Sequence, residues 1–178
     1  MIRHIFCIIF AGTTVGFLLF TNCEFQKSSH NHQYTDPQYG FRIASPDSDW
    51  IVTDETGISE VLAILKSKAI ISDFIPNVTI SIETLPCMMT AVEYGEKNHE
   101  SLTAQGYKIL SREETMINQN TFYDLQCLNR NILPSLQFRY LCLVKNRIGF
   151  IITCTATEKH YAEFAGDFES ILSSFRFL

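Results

Sequence analysis

Nowhere in the 178-residue chain is there a block of basic residues, and its fourteen Lys and Arg are outnumbered by nineteen Asp and Glu, for a net charge of -5. A nucleic-acid-binding surface needs clustered positive charge to displace counterions from phosphates, so that class of partner is excluded. The short signatures of common chemistries are missing as well. There is no His-Glu-x-x-His pair for zinc hydrolysis, no Gly-x-Ser-x-Gly nucleophile elbow and no Gly-rich phosphate loop. None of the six cysteines forms a Cys-x-x-Cys pair of the kind that holds zinc or cycles as a dithiol. No catalytic residue, metal ligand or cofactor is therefore assigned. Eight glycines and five prolines are too few for a low-complexity chain, and 46% hydrophobic with 19% charged residues suits one compact domain.

The chain opens Met1-Ile2-Arg3-His4 and then runs apolar from Ile5 to Phe20, broken by Thr13 and Thr14. These sixteen residues fall short of the roughly 20 that a spanning helix requires. A short basic start before such a run is the profile of an export signal. Leu19-Phe20-Thr21-Asn22-Cys23 resembles the lipobox of bacterial lipoproteins, with Asn22 where the family prefers Gly, Ala or Ser and Phe20 where it prefers Leu. Relaxed boxes of this kind are a feature of spirochaetes, which the resemblance implies as a lineage. It further implies cleavage after Asn22, a diacylglycerol on the Cys23 thiol and a fatty acyl group such as palmitate on the new amine. Two or three acyl chains on one residue anchor stably where one holds marginally. The remaining alternatives are an ordinary secretory signal and an uncleaved anchor. Residues 1–22 are thus expected to be a signal peptide, residues 23–36 a lipidated flexible tether and residues 37–178 the folded domain. The run Ser28-Ser29-His30-Asn31-His32-Gln33 is too polar to fold on its own, and His30 and His32 are expected to be solvated rather than to bind metal.

Beyond residue 37 the punctuation predicts an α+β domain. Strands are expected at Tyr39–Ile43, ended by Pro46, at Trp50–Val52, at Val61–Lys66 and at Asn77–Glu83, the last alternating with period two. Thr90-Ala91-Val92-Glu93 has the capping-box form and predicts a helix to about Ala104, ended at Gly106, with Val92, Gly95, His99 and Leu102 on its inner face. Three long runs follow, Tyr107–Ile117, Thr121–Asn129 and Leu136–Val144. They are joined by Asn118-Gln119-Asn120 and by Ile132-Leu133-Pro134-Ser135, and a turn at Asn146-Arg147 leads into Gly149–Ala156. An antiparallel meander is the natural reading. Thr155 and Glu158 repeat the capping-box form, and Phe164, Phe168, Ile171, Leu172 and Phe175 fall on one stripe of the helix that should follow. That stripe is expected to be core.

If the turn between the second and third runs centres on residues 134 and 135, Cys127 and Cys142 fall almost opposite each other and become a candidate disulfide. The alternative is that both are small apolar residues. His99 and His160 each have a Glu three residues away, Glu96 and Glu163, a common helical pairing. Asp47, Asp49, Asp54 and Glu55 crowd around Trp50 but lack the ordered spacing of a calcium loop, so a solvated acidic turn is expected.

Tyr39-Gly40-Phe41-x-Ile43-x-x-Pro46-x-x-x-Trp50 near the start and Gly149-Phe150-x-Ile152-x-x-Thr155-Ala156 followed by Ile171-Leu172-x-Ser174-Phe175 near the end resemble the PsbP/DcrB family. This family comprises small exported or luminal proteins. The resemblance covers about residues 36 to 178 and rests on apolar and turn positions that define a fold. It implies a central antiparallel sheet flanked by helices on both faces and a non-enzymatic accessory or binding role. The expected function is a lipoprotein of the bacterial envelope, held at the inner or outer membrane through Cys23 and facing the periplasm or the cell surface. A protein partner is expected. Two rivals remain: an envelope hydrolase whose site assembles from distant residues, and a surface lipoprotein that contacts host molecules.

Overall fold

The computed structural model describes residues 32–71 and 73–178. Export signal, Cys23 and most of the expected tether lie outside the described residues. In chain order the elements are β1 Gln33–Asp36, β2 Phe41–Ala44, β3 Trp50–Thr53, β4 Val61–Ser67, β5 Asn77–Thr84, α1 Ala91–Ala104, β6 Lys108–Ile117, β7 Asn120–Asn129, β8 Leu136–Lys145, β9 Ile148–Thr157, a 3₁₀ turn at Tyr161–Phe164, α2 Ala165–Ser174 and β10 Arg176–Phe177. Seven strands form one antiparallel sheet in the order β3-β4-β5-β9-β8-β7-β6, and β1, β2 and β10 form a second, small sheet with β2 in the middle.

Local chemistry explains most of this order. Asn118 and Gln119 (φ 48° and 65°) close the β6–β7 hairpin, and Asn146 and Arg147 (φ 53° and 63°) close β8–β9. Two-residue turns with both φ values positive match the right-handed twist of the strands they join, and Asn tolerates that conformation best among residues bearing a Cβ. At the start of α1 the Thr90 side chain accepts from the Glu93 amide at 3.1 Å, while the Glu93 carboxylate accepts from the Thr90 amide at 2.7 Å. The reciprocal bonds satisfy two donors that the helix leaves open. Gly106 (φ 82°) then turns the chain out of the helix. The inner face of α1 is Tyr94, Gly95, Asn98 and Leu102: Gly95 and Leu102 are buried as expected, while Tyr94 and Asn98 take the places expected for Val92 and His99, which are half-buried.

Three expectations are corrected. Thr155 does not cap a helix: it lies inside β9, paired with Asn77 of β5 on one side and Phe138 of β8 on the other. A strand between two neighbours satisfies its amides along both edges, which outweighs the single bond a cap would supply. The helix begins later, through the 3₁₀ turn, with no side-chain cap. The β7–β8 connection spans residues 130–135, because Asn129 pairs with Leu136, so its centre lies two residues before the expected one. Finally, the folded part starts at β1, inside the stretch expected to be tether. Tyr34 packs on Phe41 with ring centroids 5.8 Å apart, giving that polar segment an apolar purchase.

The aromatic stripe of the last helix is core, as expected. Phe168, Ile171, Leu172 and Phe175 are buried, with Phe175 5.4 Å from Phe41 and 6.0 Å from Phe122, and Phe168 6.0 Å from Trp50. The indole Nε1 of Trp50 donates to Asp167 at 3.0 Å, fixing β3 to the first turn of α2. Tyr123, next to Phe122 along β7, instead meets Gly95 of α1.

Candidate functional site

Cys127 pairs with Phe138 and Cys142 with Tyr123, so the two cysteines stand four positions apart along the ladder. At about 3.4 Å per residue that is roughly 13 Å, twice the reach of a disulfide. The structure does not bring them together. The hairpin is longer than a two-residue turn, and the register slips accordingly. Cys154 on β9 pairs with Arg139 and is buried on the other face of the sheet, towards α2, and burial pushes its thiol well above the ordinary range, the state of an inert cysteine.

The histidines have separate fates. His99 Nδ1 lies 3.2 Å from Glu96, as its spacing suggests, but the cluster is larger: Tyr123 donates to Glu96 at 2.7 Å, and Arg112 donates to it at 3.0 Å. The Tyr123 hydroxyl, followed by His99 and Arg112, holds the Glu96 carboxyl below its usual range, while burial and Glu96 push the Tyr123 phenol up to about 12. This group pins α1 to β6 and β7. The His160 ring pairs through Nδ1 with the Thr157 hydroxyl at 3.0 Å, while Glu163 meets His160 through the backbone, its amide donating to the His160 carbonyl at 3.0 Å. His32 sits with Nδ1 2.9 Å from the Asp47 carbonyl oxygen. The carboxylates around Trp50 do not converge, since Asp47 accepts from the Asp49 amide in a local turn. Among the described residues no three His, Cys, Asp or Glu side chains gather as a metal site.

A second polar group lies between the large sheet and α2. Asp124, buried on β7, accepts from Arg139 Nε at 2.9 Å and Nη2 at 2.8 Å, and Arg139 also pairs with Glu169 of α2. Burial nevertheless raises the Asp124 carboxyl, outweighing the opposite pull of Arg139. The Tyr161 hydroxyl nearby is buried with no hydrogen-bond partner among the described residues. Neither polar group was legible in sequence, because Glu96–Tyr123 and Asp124–Arg139 join positions 27 and 15 residues apart. Only the i to i+3 pair of Glu96 and His99 leaves a local signal.

The strand registers carry several connections to one end of the large sheet. Trp50 pairs with Ser67, Lys66 with Asn77, Asn77 with Thr155, and Leu136 with both Thr157 and Asn129. Residues 45–49, 68–71, 73–76, 130–135 and 158–160 therefore share that end. An open groove of about 550 Å³ lies there, lined by Pro134, Ser135, Thr157, Glu158, Lys159 and His160. Glu158 is held by Arg130 through bonds from Nε and Nη2. Four large apolar side chains project from this end: Leu133 is 96% exposed, Ile70 67%, Ile132 40% and Ile75 38%. The start of the described chain lies there as well. The Ser45 amide donates to the His32 carbonyl at 2.7 Å, and the Lys68 amide donates to the Asp49 carbonyl at 2.7 Å, tying the beginning of β1 to the β4–β5 loop. Among the described residues no helix is long and apolar enough to cross a membrane.

No protein-family model and no curated protein sequence matches the chain. Its fold, however, is shared with solved structures. It is similar to cyanobacterial PsbP (CyanoP) from Synechocystis sp. PCC 6803, with a TM-score of 0.58 and 17% identity over 89% of this chain and 99% of that one. A similar match is LpqN, involved in cell envelope biogenesis of Mycobacterium tuberculosis, with a TM-score of 0.57 and 11% identity over 83% and 91% of the two chains. A Pseudomonas aeruginosa protein of unknown function, described as a putative regulator, matches with a TM-score of 0.57 and 16% identity over 82% and 96%. At these identities the likeness speaks for the fold alone.

Proposed function

We propose that this chain is a lipoprotein of the bacterial envelope, acylated at Cys23 after loss of residues 1–22, whose PsbP-like domain binds or assembles other proteins and performs no catalytic turnover. The observation that carries the proposal is Leu19-Phe20-Thr21-Asn22-Cys23 directly behind a sixteen-residue apolar run, nine residues ahead of the first described residue of the domain. In this reading α1 and α2 cover opposite faces of the large sheet, and the polar groups beneath them serve to lock helices to strands. Supporting a structural role, Glu96 and Asp124 each spend their acceptor sites on side chains of the neighbouring strands. The likeness to a cell-envelope biogenesis protein agrees with a place in the envelope.

Two measurements on protein taken from its native membranes test this. Intact-mass spectrometry should find Met1 to Asn22 removed and acyl chains on Cys23, and Cys23→Ala should yield an unacylated chain whose domain melts at an unchanged temperature. An intact Met1 or an unmodified thiol at Cys23 would refute the proposal. Cross-linking of the lipidated protein in those membranes should then capture a defined protein partner.

A further inference from the structure

We infer that the end of the large sheet carrying Leu133, Ile132, Ile70 and Ile75 is a lipid-docking edge, which inserts these side chains into the interfacial region of the bilayer that holds the anchor. The inference rests on the lipoprotein proposal and deepens it by giving the tethered domain an orientation. Leu133 is the most exposed large apolar residue described, and its loop places Ile132, Leu133 and Pro134 in succession at the tip of the β7–β8 hairpin. The β4–β5 loop, with Ile70 and Ile75, stands at the same end with β9 between the two hairpins. With strands about 4.8 Å apart, the two hairpins are centred roughly 15 Å from each other, close enough to touch one surface together.

The occupant follows from where the chain emerges. His32 is bonded into this end through Ser45 and Asp47, and Cys23 precedes it by nine residues. Even fully extended, nine residues reach only about 30 Å. A ten-residue strand such as β8 is itself about 33 Å long, so the opposite end, where Met88 and Met116 are exposed, lies about a full strand length from His32, the end at which the leash joins the domain. A short leash also gives the near loops a high effective concentration at the bilayer, so that even weak insertion is populated. Residues that insert shallowly, about 5–10 Å into the headgroup and acyl boundary, are of this apolar kind. Charge does not drive the contact. Asp47, Asp49, Asp73 and Glu158 lie among Lys68, Arg130 and Lys159 at this end, four acidic against three basic residues, so anionic lipid is neither strongly attracted nor strongly repelled.

The test uses the full lipidated protein in phosphatidylethanolamine and phosphatidylglycerol vesicles, with Cys87→Ser removing the exposed native thiol. An environment-sensitive fluorophore is placed at Leu133→Cys, at Ile70→Cys or, at the opposite end, at Met116→Cys. Phospholipids brominated near the headgroup should quench about half or more of the emission at positions 133 and 70, insertion being shallow, and leave position 116 unaffected. The quenching should persist in high salt. If the protein floats with the vesicles while positions 133 and 116 are quenched alike or not at all, docking is overturned and the lipoprotein proposal stands. Protection of position 133 in native membranes but not in protein-free vesicles would overturn it in favour of a protein partner. A chain that fails to float and carries an unmodified Cys23 overturns both.

Discussion

Glu96 accepts hydrogen bonds from residues on two different strands, and the Tyr123 hydroxyl contributes most to keeping its carboxyl ionised. A folded-state pKa below the unfolded value contributes stability that is present above the unfolded carboxyl value and lost as pH falls through the folded one. Tyr123→Phe should therefore raise the Glu96 pKa in an NMR titration. The stability difference between wild type and variant should be widest above pH ~5 and narrow on acidification. Because Tyr123 itself ionises only near 12, the bond is intact throughout the neutral range. Asp124 behaves oppositely. Its raised carboxyl binds a proton at higher pH in the folded state than in the unfolded state, so this residue's contribution declines as pH climbs from the unfolded carboxyl value through the folded one. Its partner still needs it: Asp124→Ala strands a largely buried Arg139 with Glu169 alone and should cost about 3–5 kcal/mol in chemical denaturation. Asp124→Leu with Arg139→Met should recover most of that loss, since an apolar pair of similar bulk avoids the desolvation of both charges.

At the scale of elements, α1 illustrates packing overriding propensity. Replacing a helical Gly by Ala gains about 1 kcal/mol in an exposed helix. A Cβ on Gly95, however, would lie 2.2 Å from Cγ of Tyr123. Gly95→Ala should therefore lower stability by roughly 1–3 kcal/mol or more, the cost of overpacking a filled site, instead of raising it. Thermal unfolding of the variant reads the sign directly. Gly149→Ala should do the same from the other side, where a Cβ would meet the Tyr94 ring at 2.5 Å. The helix itself was legible, because a capping box and a terminating glycine are local chemistry. The same box at Thr155 and Glu158 failed for a reason no local pattern carries: β5 and β8 flank that segment and hold it as strand, while Glu158 turns to Arg130. The two tight hairpins were legible through Asn118-Gln119 and Asn146-Arg147. The β7–β8 hairpin was legible in its strands, Thr121–Asn129 and Leu136–Val144, but not in its register, since a six-residue loop leaves its centre undetermined in sequence, and the Cys127–Cys142 pairing fell with it.

For the molecule as a whole, the least legible feature was where it begins. Gln33–Asp36 looks polar and unstructured, yet as β1 it pairs with β2 from Gln33 opposite Ala44 to Asp36 opposite Phe41. Hydrophobic patterning missed it because its one apolar contact, Tyr34 on Phe41, is made with a residue seven positions on, and because its other support is polar. Asp36 is buried, accepting from the Tyr39 amide at 2.8 Å and the Tyr34 hydroxyl at 2.9 Å. β2 in turn packs on α2, where the Ser174 hydroxyl accepts from the Ala44 amide at 2.8 Å, so β1 is the outer strand of the sheet that braces the closing helix. A chain beginning at His32 should thus melt like the full domain, whereas one beginning at Pro37, the boundary that composition suggests, should lose about 2–4 kcal/mol in aromatic burial and buried hydrogen bonds. For a domain of this size that is a fall of roughly 6–15 °C in melting temperature by calorimetry. Equal melting of the two chains would assign residues 32–36 to the leash rather than to the fold. That would lengthen the reach between Cys23 and the first fixed residue, and with it the freedom of the domain to turn away from the membrane.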